Sequence, residues 1–94
     1  MGQLADRIRG PIREGRYVVS EHASERITER GFLEWQIVDG SIDGEVLIER
    51  SENRPHPAVE FECLLPDGTA FKAVWCLLPQ SQVAKLVTVH YLNE

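Results

Sequence analysis

The sequence of 94 residues has only two cysteines, Cys63 and Cys76, and no long apolar run. Two cysteines are too few for a disulfide scaffold, and their spacing is not that of the C-x-x-C pairs in zinc ribbons. No stretch approaches the roughly 18 uninterrupted apolar residues that suggest a membrane-spanning helix. We therefore predict buried, reduced thiols, no metal site, no cofactor and no membrane partner.

The length of the chain allows one domain, residues 1–94, with one hydrophobic core. Near the start, Asp6 and Arg7 are charged where a secretory signal peptide would need an apolar segment. Together with the small number of cysteines, this composition leads us to expect a cytoplasmic protein.

Acidic residues outnumber basic ones, and the net charge of −5 argues against broad nonspecific affinity for nucleic acid. The charge is unevenly distributed along the chain. Residues 1–30 contain six arginines and five acidic residues, whereas residues 31–94 contain four basic and ten acidic residues. Any site for an anionic ligand is therefore expected in the N-terminal third.

Hydrophobic periodicity predicts helices in the first half of the chain. The predicted helices cover residues 3–14, 21–30 and 33–42. Pro11 should kink the first helix or start a new turn, because proline removes a backbone donor. Ser20 is a good N-cap for the second helix, and Gly31 suits its left-handed C-terminal cap.

Period-two patterning predicts strands in the second half. The predicted strands cover residues 45–49, 58–65, 69–78 and 84–92. The short run from Tyr17 to Val19 is a further candidate strand, because it is aromatic and β-branched. Helices followed by strands predict an α+β fold, with an antiparallel sheet covered by helices on one face.

Two details of these strands determine which side chains meet. A two-residue turn at Asp67-Gly68 would place Cys63 opposite Lys72 and Cys76 opposite Val59, so that the thiols do not meet. Strict alternation along the last strand puts Val87, Val89 and Tyr91 on one face and Leu86, Thr88, His90 and Leu92 on the other. We expect this last strand to form an edge of the sheet.

The concentrated chemical feature of the sequence is a polar stripe on the second helix, formed by His22, Arg26 and Arg30. At about 100° per residue these side chains lie within about 80° of one another, on one helix face. A parallel acidic row is formed by Glu21, Glu25 and Glu29. Neighbours four residues apart therefore carry like charges, which helix stability alone would not favour.

This stripe contains groups that metal-independent RNA cleavage requires. His22 lies in the first helical turn, where the helix dipole favours the neutral imidazole that acts as a general base. Two arginines can bind a phosphate through paired hydrogen bonds and neutralise the charge of the transition state. A simpler interpretation stays open, in which the histidine packs beside the N-cap and the arginines are solvated.

The helix also resembles a known bacterial family. The motif that carries the resemblance is Tyr17-x-x-Ser20-x-His22-Ala23-x-x-Arg26-x-x-x-Arg30-Gly31. It is similar to the signature of domain of unknown function family 4258, which resembles the RelE-like toxins and the wider barnase, EndoU, colicin and RelE nuclease superfamily. The similarity continues through Ile37, Gly44 and Glu45 to the segment Leu86-Val87-Thr88-Val89-His90-Tyr91, and so covers most of residues 16–92.

The resemblance implies helices packed on a four-stranded antiparallel sheet, and a metal-independent ribonuclease of the toxin type that cleaves RNA by attack of the 2′-hydroxyl. On this basis the predicted catalytic residues are His22, Arg26, Arg30 and Thr88. Lys72, where relatives commonly have histidine, and His90, next to the closing tyrosine, are predicted to contact the substrate. The implied partners are RNA, an antitoxin-like protein or a second copy of the chain.

The same residues leave a second function open, a catalytically inactive fold that serves as a protein-binding module. A positive cleft that joins the predicted site residues would favour the enzyme. Ion pairs that bury both arginines would favour the module, and the candidate acids for such pairs are Glu25, Glu29 and Asp39.

Three other sets of residues have simpler expected roles. Trp35 and Trp75 are expected to be core or interface anchors. Glu60 and Glu62 are expected on a solvated strand face that would repel RNA, so that substrate would approach from the helix side. His56 lies in a proline-stiffened loop and has no metal-ligand spacing to another histidine or to a cysteine.

Overall fold

The computed structural model describes residues 3–92, and its elements follow the predicted order. The helices are α1 (Gln3–Arg13), α2 (Glu21–Arg30) and α3 (Glu34–Asp43). The strands are β1 (Tyr17–Val19), β2 (Glu45–Arg50), β3 (Ala58–Leu64), β4 (Ala70–Leu78) and β5 (Val83–Tyr91). The α+β class is confirmed, and no helix within residues 3–92 is both long enough and apolar enough to cross a membrane.

The helix α2 begins and ends where its capping residues predict. Ser20 Oγ accepts a hydrogen bond from the Ala23 N–H at 3.0 Å, which satisfies a donor that the first turn leaves unpaired. Gly31 has a φ angle of 74°, a left-handed conformation that glycine adopts easily. The Phe32 N–H donates to the Ile27 carbonyl oxygen at 3.0 Å and completes the C-terminal cap.

The helix α1 is continuous through Pro11 and ends at Arg13. Its apolar side chains, Ile8 among them, are buried along one face, so packing holds the helix together where proline removes a donor. At the other end, the Ala5 N–H donates to Glu49 Oε2 of β2 at 2.9 Å. This bond ties the first turn of α1 to the sheet.

The core lies between the helices and one face of the sheet, where Phe61, Phe71 and Trp75 are the largest fully buried side chains. Trp75 Nε1 donates to Ser41 Oγ at 2.8 Å, and Ser41 Oγ donates to the Ile37 carbonyl oxygen at 2.7 Å. The indole and the buried hydroxyl are thereby both satisfied. We call the opposite side of the sheet the open face; its partly exposed residues include Glu60, Lys72, Val74 and Thr88.

The sheet is mixed and has five strands, in the order β1-β5-β4-β3-β2. The strands β2 to β5 form the predicted antiparallel part, whereas β1 pairs with β5 in parallel, with Tyr17 opposite Ala84 and Val19 opposite Leu86. The four-stranded antiparallel sheet that the resemblance implies and the predicted edge position of β5 are therefore wrong, whereas the candidate strand from Tyr17 to Val19 is present. A run of three residues indicates that a strand can form, but it contains no information about the partner or direction of that strand.

The hairpin between β3 and β4 has a three-residue loop rather than the predicted two-residue turn. The Gly68 N–H donates to the Leu65 carbonyl oxygen at 2.8 Å, and Gly68 has a φ angle of 89°, as in the common three-residue hairpin loop. The longer loop shifts the register by one position, which places Lys72 opposite Glu62 instead of Cys63. Both predicted cysteine pairings are wrong for this reason.

The two cysteines are buried and free, as predicted. Burial raises the pKa of Cys63 to about 12 and also raises the pKa of Cys76 above its ordinary value. Because a reactive cysteine must form a thiolate, both thiols act as small apolar groups in this fold.

The strand β5 contains a bulge. Its pairing with β4 shifts by one position at Val87, which leaves this residue with no partner opposite it on β4. Leu86 and Val89 are both buried although an odd number of positions separates them. Thr88 and His90 lie on the open face, so the predicted grouping of Leu86 with these two residues is wrong.

Candidate functional site

The helix α2 begins at the bulge of β5 and extends along the rest of that strand. The Ser20 N–H donates to the Leu86 carbonyl oxygen, and Ser20 Oγ donates to the Val87 carbonyl oxygen, both at 3.0 Å. At the other end, Tyr91 Oη donates to the Arg30 carbonyl oxygen at 3.0 Å. The beginning of β5 therefore lies beside β1, and the rest of the strand lies beside α2.

This arrangement brings two predicted site residues together. His22 Nε2 and Thr88 Oγ1 are hydrogen-bonded at 3.1 Å, although 66 positions separate the two residues. Their contact depends on the cap at Ser20, which sets the first turn of α2, and on the bulge at Val87, which turns Thr88 to the open face. The hydroxyl orients the imidazole, and a general base must be oriented in this way to act.

Arg26 and Arg30 share the carboxylate of Glu29. Arg26 Nη1 lies 2.6 Å and Arg30 Nη1 lies 3.3 Å from the same oxygen, Glu29 Oε1. The arginine side chains remain 32% and 27% exposed, so they are paired but not buried. An anionic oxygen between two guanidiniums occupies the position that a phosphate oxygen would take if Glu29 moved aside.

Lys72 belongs to an ion cluster on the open face. Its Nζ lies 3.2 Å from Glu60 Oε1, and Arg50 Nη2 lies 3.1 Å from Glu60 Oε2. The side chain of Glu60 is only 13% exposed, so the prediction of a solvated face is wrong at this position. Burial alone would raise the pKa of Glu60, but hydrogen bonds from Lys72 and Arg50 outweigh it and hold the pKa below its ordinary value.

A cleft of about 510 Å³ lies over the open face, and we call it the His22 cleft. Its polar and basic lining residues are Ser20, His22, Arg50, Asn53, His56 and Lys85. Its apolar lining includes Ala58, Val74, Cys76 and Val87. The volume is within the range of ligand pockets, roughly 300–1,000 Å³.

Sequence spacing does not single out four residues of this cleft, namely Arg50, Asn53, His56 and Lys85. The loop between β2 and β3 brings His56 to the cleft, and Asn53 Nδ2 donates to the His56 carbonyl oxygen at 3.1 Å within that loop. The prolines on either side, Pro55 and Pro57, are the available signal in the sequence, because they restrict the loop to few conformations.

The six predicted site residues meet in three pairs: His22 with Thr88, Arg26 with Arg30, and Lys72 with His90. The pairs do not join in a single cleft, because His22 alone among these six lines the His22 cleft. Within residues 3–92, no three His, Cys, Asp or Glu side chains gather closely enough to hold a metal ion.

Comparisons with known proteins give no match to the chain among protein-family models, curated proteins or solved structures. The resemblance of the α2 motif to family 4258 and the RelE-like toxins therefore stays a prediction.

Proposed function

We propose that the His22 cleft binds the backbone of RNA and cleaves it without a metal ion, as in a RelE-like ribonuclease of the toxin type. The observation that carries this proposal is that two imidazoles, His22 and His56, line the same cleft as two cations, Arg50 and Lys85. Attack by a 2′-hydroxyl needs a base, an acid and positive charge near the phosphorus, and these four residues supply all three.

In this mechanism His22 is the general base, because Thr88 holds its ring in place. His22 takes the proton of the 2′-hydroxyl, and the 2′-oxygen forms a bond to the adjacent phosphorus. The bond from phosphorus to the 5′-oxygen breaks, and protonated His56 gives its proton to that leaving oxygen. Arg50 and Lys85 neutralise the phosphorane, and the products are a 2′,3′-cyclic phosphate and a free 5′-hydroxyl.

Residues outside the cleft extend the binding surface in this proposal. A neighbouring phosphate displaces Glu29 and takes its place between Arg26 and Arg30. Lys72 on β4 and His90 on β5 lie opposite each other on the open face, farther along the sheet than Thr88. These two side chains contact the next nucleotide.

The direct test incubates purified protein with labelled single-stranded RNA and a chelator, and detects the cyclic phosphate product. The same RNA with 2′-O-methyl groups should remain intact, because the attacking hydroxyl is blocked. His22→Ala and His56→Ala should each lower the rate by about 10²- to 10⁴-fold. His90→Ala, which removes a proposed nucleotide contact but no proton-transfer group, should cost less than about tenfold. Intact RNA in the presence of folded wild-type protein would overturn the proposal.

The second candidate function is a catalytically inactive fold that binds an antitoxin-like protein or a second copy of itself. The observation that favours it is that basic residues already have internal carboxylate partners: Arg26 and Arg30 share Glu29, and Lys72 and Arg50 share Glu60. Such ion pairs lower the positive charge available to RNA.

Expression in a bacterial host separates the two functions. Growth arrest with RNA decay, abolished by His22→Ala and by Arg26→Ala, supports the ribonuclease. A harmless wild-type protein that leaves cellular RNA intact supports the binding module. Circular dichroism of each purified variant checks that the substitutions leave the fold in place.

A further inference from the structure

A second depression, of about 490 Å³, lies between α3 and the end of β3. Its apolar side chains include Trp35 and Leu64. Its acidic lining residues are Asp39, Asp43, Glu45 and Glu62. We call this depression the Trp35 groove, and it shares no lining residue with the His22 cleft.

The apolar side chains of the groove are unusually exposed for their size. Trp35 is 55% exposed and Leu64 is 63% exposed, whereas the other tryptophan, Trp75, is fully buried. Large apolar groups that converge on one depression, with polar groups around them, mark an interaction site more strongly than scattered ones do.

The four carboxylates of the groove have no cationic partner in the part of the chain that the structure describes. The last turn of α3 contains Asp43 and no basic residue, although the helix dipole favours cations there. Arg9 hydrogen-bonds the backbone carbonyls of Ser41 and Gly44 nearby, and its guanidinium lies 4.6 Å from the centre of the Phe61 ring. The groove therefore combines an apolar floor with unpaired negative charge.

The shape of the groove depends on a close approach of α3 to the sheet. A Cβ atom at Gly44 would lie 2.7 Å from the Glu62 carbonyl oxygen, and one at Gly40 would lie 3.0 Å from the Phe71 ring. Glycine at these positions allows the two elements to pack this closely. A groove built on a packed helix and strand needs little reorganisation before it binds a partner.

We propose that the Trp35 groove docks a basic segment of a partner protein, in which lysines or arginines surround one or two apolar anchors. The anchors cover Trp35 and Leu64, the cations meet the carboxylates, and one cation can lie over the Trp35 ring. Charge complementarity selects this occupant, because the carboxylates repel RNA and a second copy would add its own net charge of −5. The proposal does not depend on ribonuclease activity at the His22 cleft.

The test measures the fluorescence anisotropy of a labelled synthetic peptide that contains lysine and leucine in an amphipathic pattern. One control peptide has glutamate in place of lysine, and another has serine in place of leucine. Wild-type protein should bind the lysine–leucine peptide at least about tenfold more tightly than either control. The affinity should fall as salt is added, because the charged rim contributes to it.

Variants then locate the binding surface. Trp35→Ala and the double variant Asp39→Asn/Asp43→Asn should each weaken peptide binding by about tenfold. The matched double variant Glu25→Gln/Glu52→Gln removes the same charge from exposed positions outside the groove and should bind like wild type. Circular dichroism checks that every variant is folded.

Three results would overturn the proposal. The first is no preference for the lysine–leucine peptide. The second is equal weakening by Glu25→Gln/Glu52→Gln, because binding would then follow net charge alone. The third is a dimer, seen by light scattering, that Trp35→Ala converts to a monomer, because the groove would then belong to a second copy of the chain.

Discussion

The His22 cleft and the Trp35 groove have nearly equal volumes, about 510 and 490 Å³, and opposite chemistry. Two histidines, Arg50 and Lys85 line the cleft, whereas four carboxylates line the groove together with Trp35. The net charge of −5 belongs to the whole chain and does not show that its basic and acidic residues are concentrated on different surfaces. In a small acidic protein, local charge and shape, rather than the total charge, therefore determine which ligands each surface suits.

The two sites also differ in how they are held together. The groove depends on packing, because α3 approaches β3 closely at Gly44. The cleft depends on the hydrogen bonds that Ser20 donates to the bulged part of β5 and on the hydrogen bond between His22 and Thr88. Substitutions should therefore damage one site without the other.

Gly44→Ala should have the largest effect, confined to the groove. The new Cβ atom would lie 2.7 Å from the Glu62 carbonyl oxygen and would force α3 away from β3. We expect the free energy of unfolding to fall by about 2–3 kcal/mol, together with weaker binding of the lysine–leucine peptide. Urea denaturation and peptide anisotropy measure the two effects, and RNA cleavage per folded molecule should not change.

The control for this variant is Gly10→Ala in α1, where an added Cβ atom would meet nothing within 4 Å. It should be as stable as wild type or slightly more stable, because alanine favours helices. If Gly44→Ala behaves like Gly10→Ala, the close packing of α3 on β3 does not hold the groove in shape.

Ser20→Ala should have the next largest effect, confined to the cleft. It removes the N-cap of α2 and the hydrogen bond to the Val87 carbonyl oxygen, at a cost of about 1 kcal/mol in the free energy of unfolding. RNA cleavage should fall, because His22 loses its alignment with Thr88, while peptide binding should persist. Ser24→Ala, on the exposed side of the same helix, is the matched control, and an equal effect of both variants would contradict the assigned role of Ser20.

Glu60→Gln should show how much the ion cluster beside the cleft contributes to stability, because that contribution depends on pH. The pKa of Glu60 is lower in the folded protein than in the unfolded chain. The ion cluster therefore stabilises the fold at pH values above the pKa that Glu60 has in the unfolded chain. This contribution is lost as the pH falls through the folded-state pKa. Near neutral pH, the free energy of unfolding of wild type, measured by urea denaturation, should exceed that of the variant by about 1 kcal/mol. This difference should become smaller in acid.

Glu62→Gln is the control for this measurement, because Glu62 lies on the same strand and has no ion pair with another residue in 3–92. Its stability difference from wild type should be smaller near neutral pH. A difference for Glu60→Gln that stays constant from neutral pH to acid would show that Glu60 acts through packing and not through charge.

Glu29→Gln should have the smallest effect, a change in RNA affinity on the side of the molecule that contains the His22 cleft. It removes the negative charge of the carboxylate that Arg26 and Arg30 share, so affinity for an uncleavable 2′-O-methyl RNA should rise about two- to fivefold. Filter binding measures the change. Glu25→Gln removes an equal charge from the same helix, and an equal gain with this control would mean that the two arginines do not bind RNA.

Features that depend on neighbouring residues could be predicted from the sequence. The caps at Ser20 and Gly31 are satisfied by groups within four residues, so short-range rules were sufficient for α2. The hydrophobic periods placed every helix and strand of the described residues in the correct order. Of the candidate site, helix spacing named His22 and the resemblance to family 4258 named Thr88, and the structure brings these two residues into contact.

Features that depend on distant residues could not be predicted in this way. Two- and three-residue loops at Gly68 have the same flanking pattern and differ by one position in register. The bulge at Val87 interrupts an alternation that the sequence alone continues. His56 lies in a loop without periodicity, so its position at the cleft depends on how that loop folds over the sheet.

The parallel pairing of β1 with β5 has a consequence for the order in which the surroundings of His22 are assembled during synthesis. A nascent chain that ends after β4 already contains α2 and His22, but it lacks Leu86, Val87 and Thr88, to which the start of α2 is bonded. The contact between His22 and Thr88 therefore forms only when the last strand has been translated. In a ribonuclease, this order would keep the site incomplete until β5 has been synthesised.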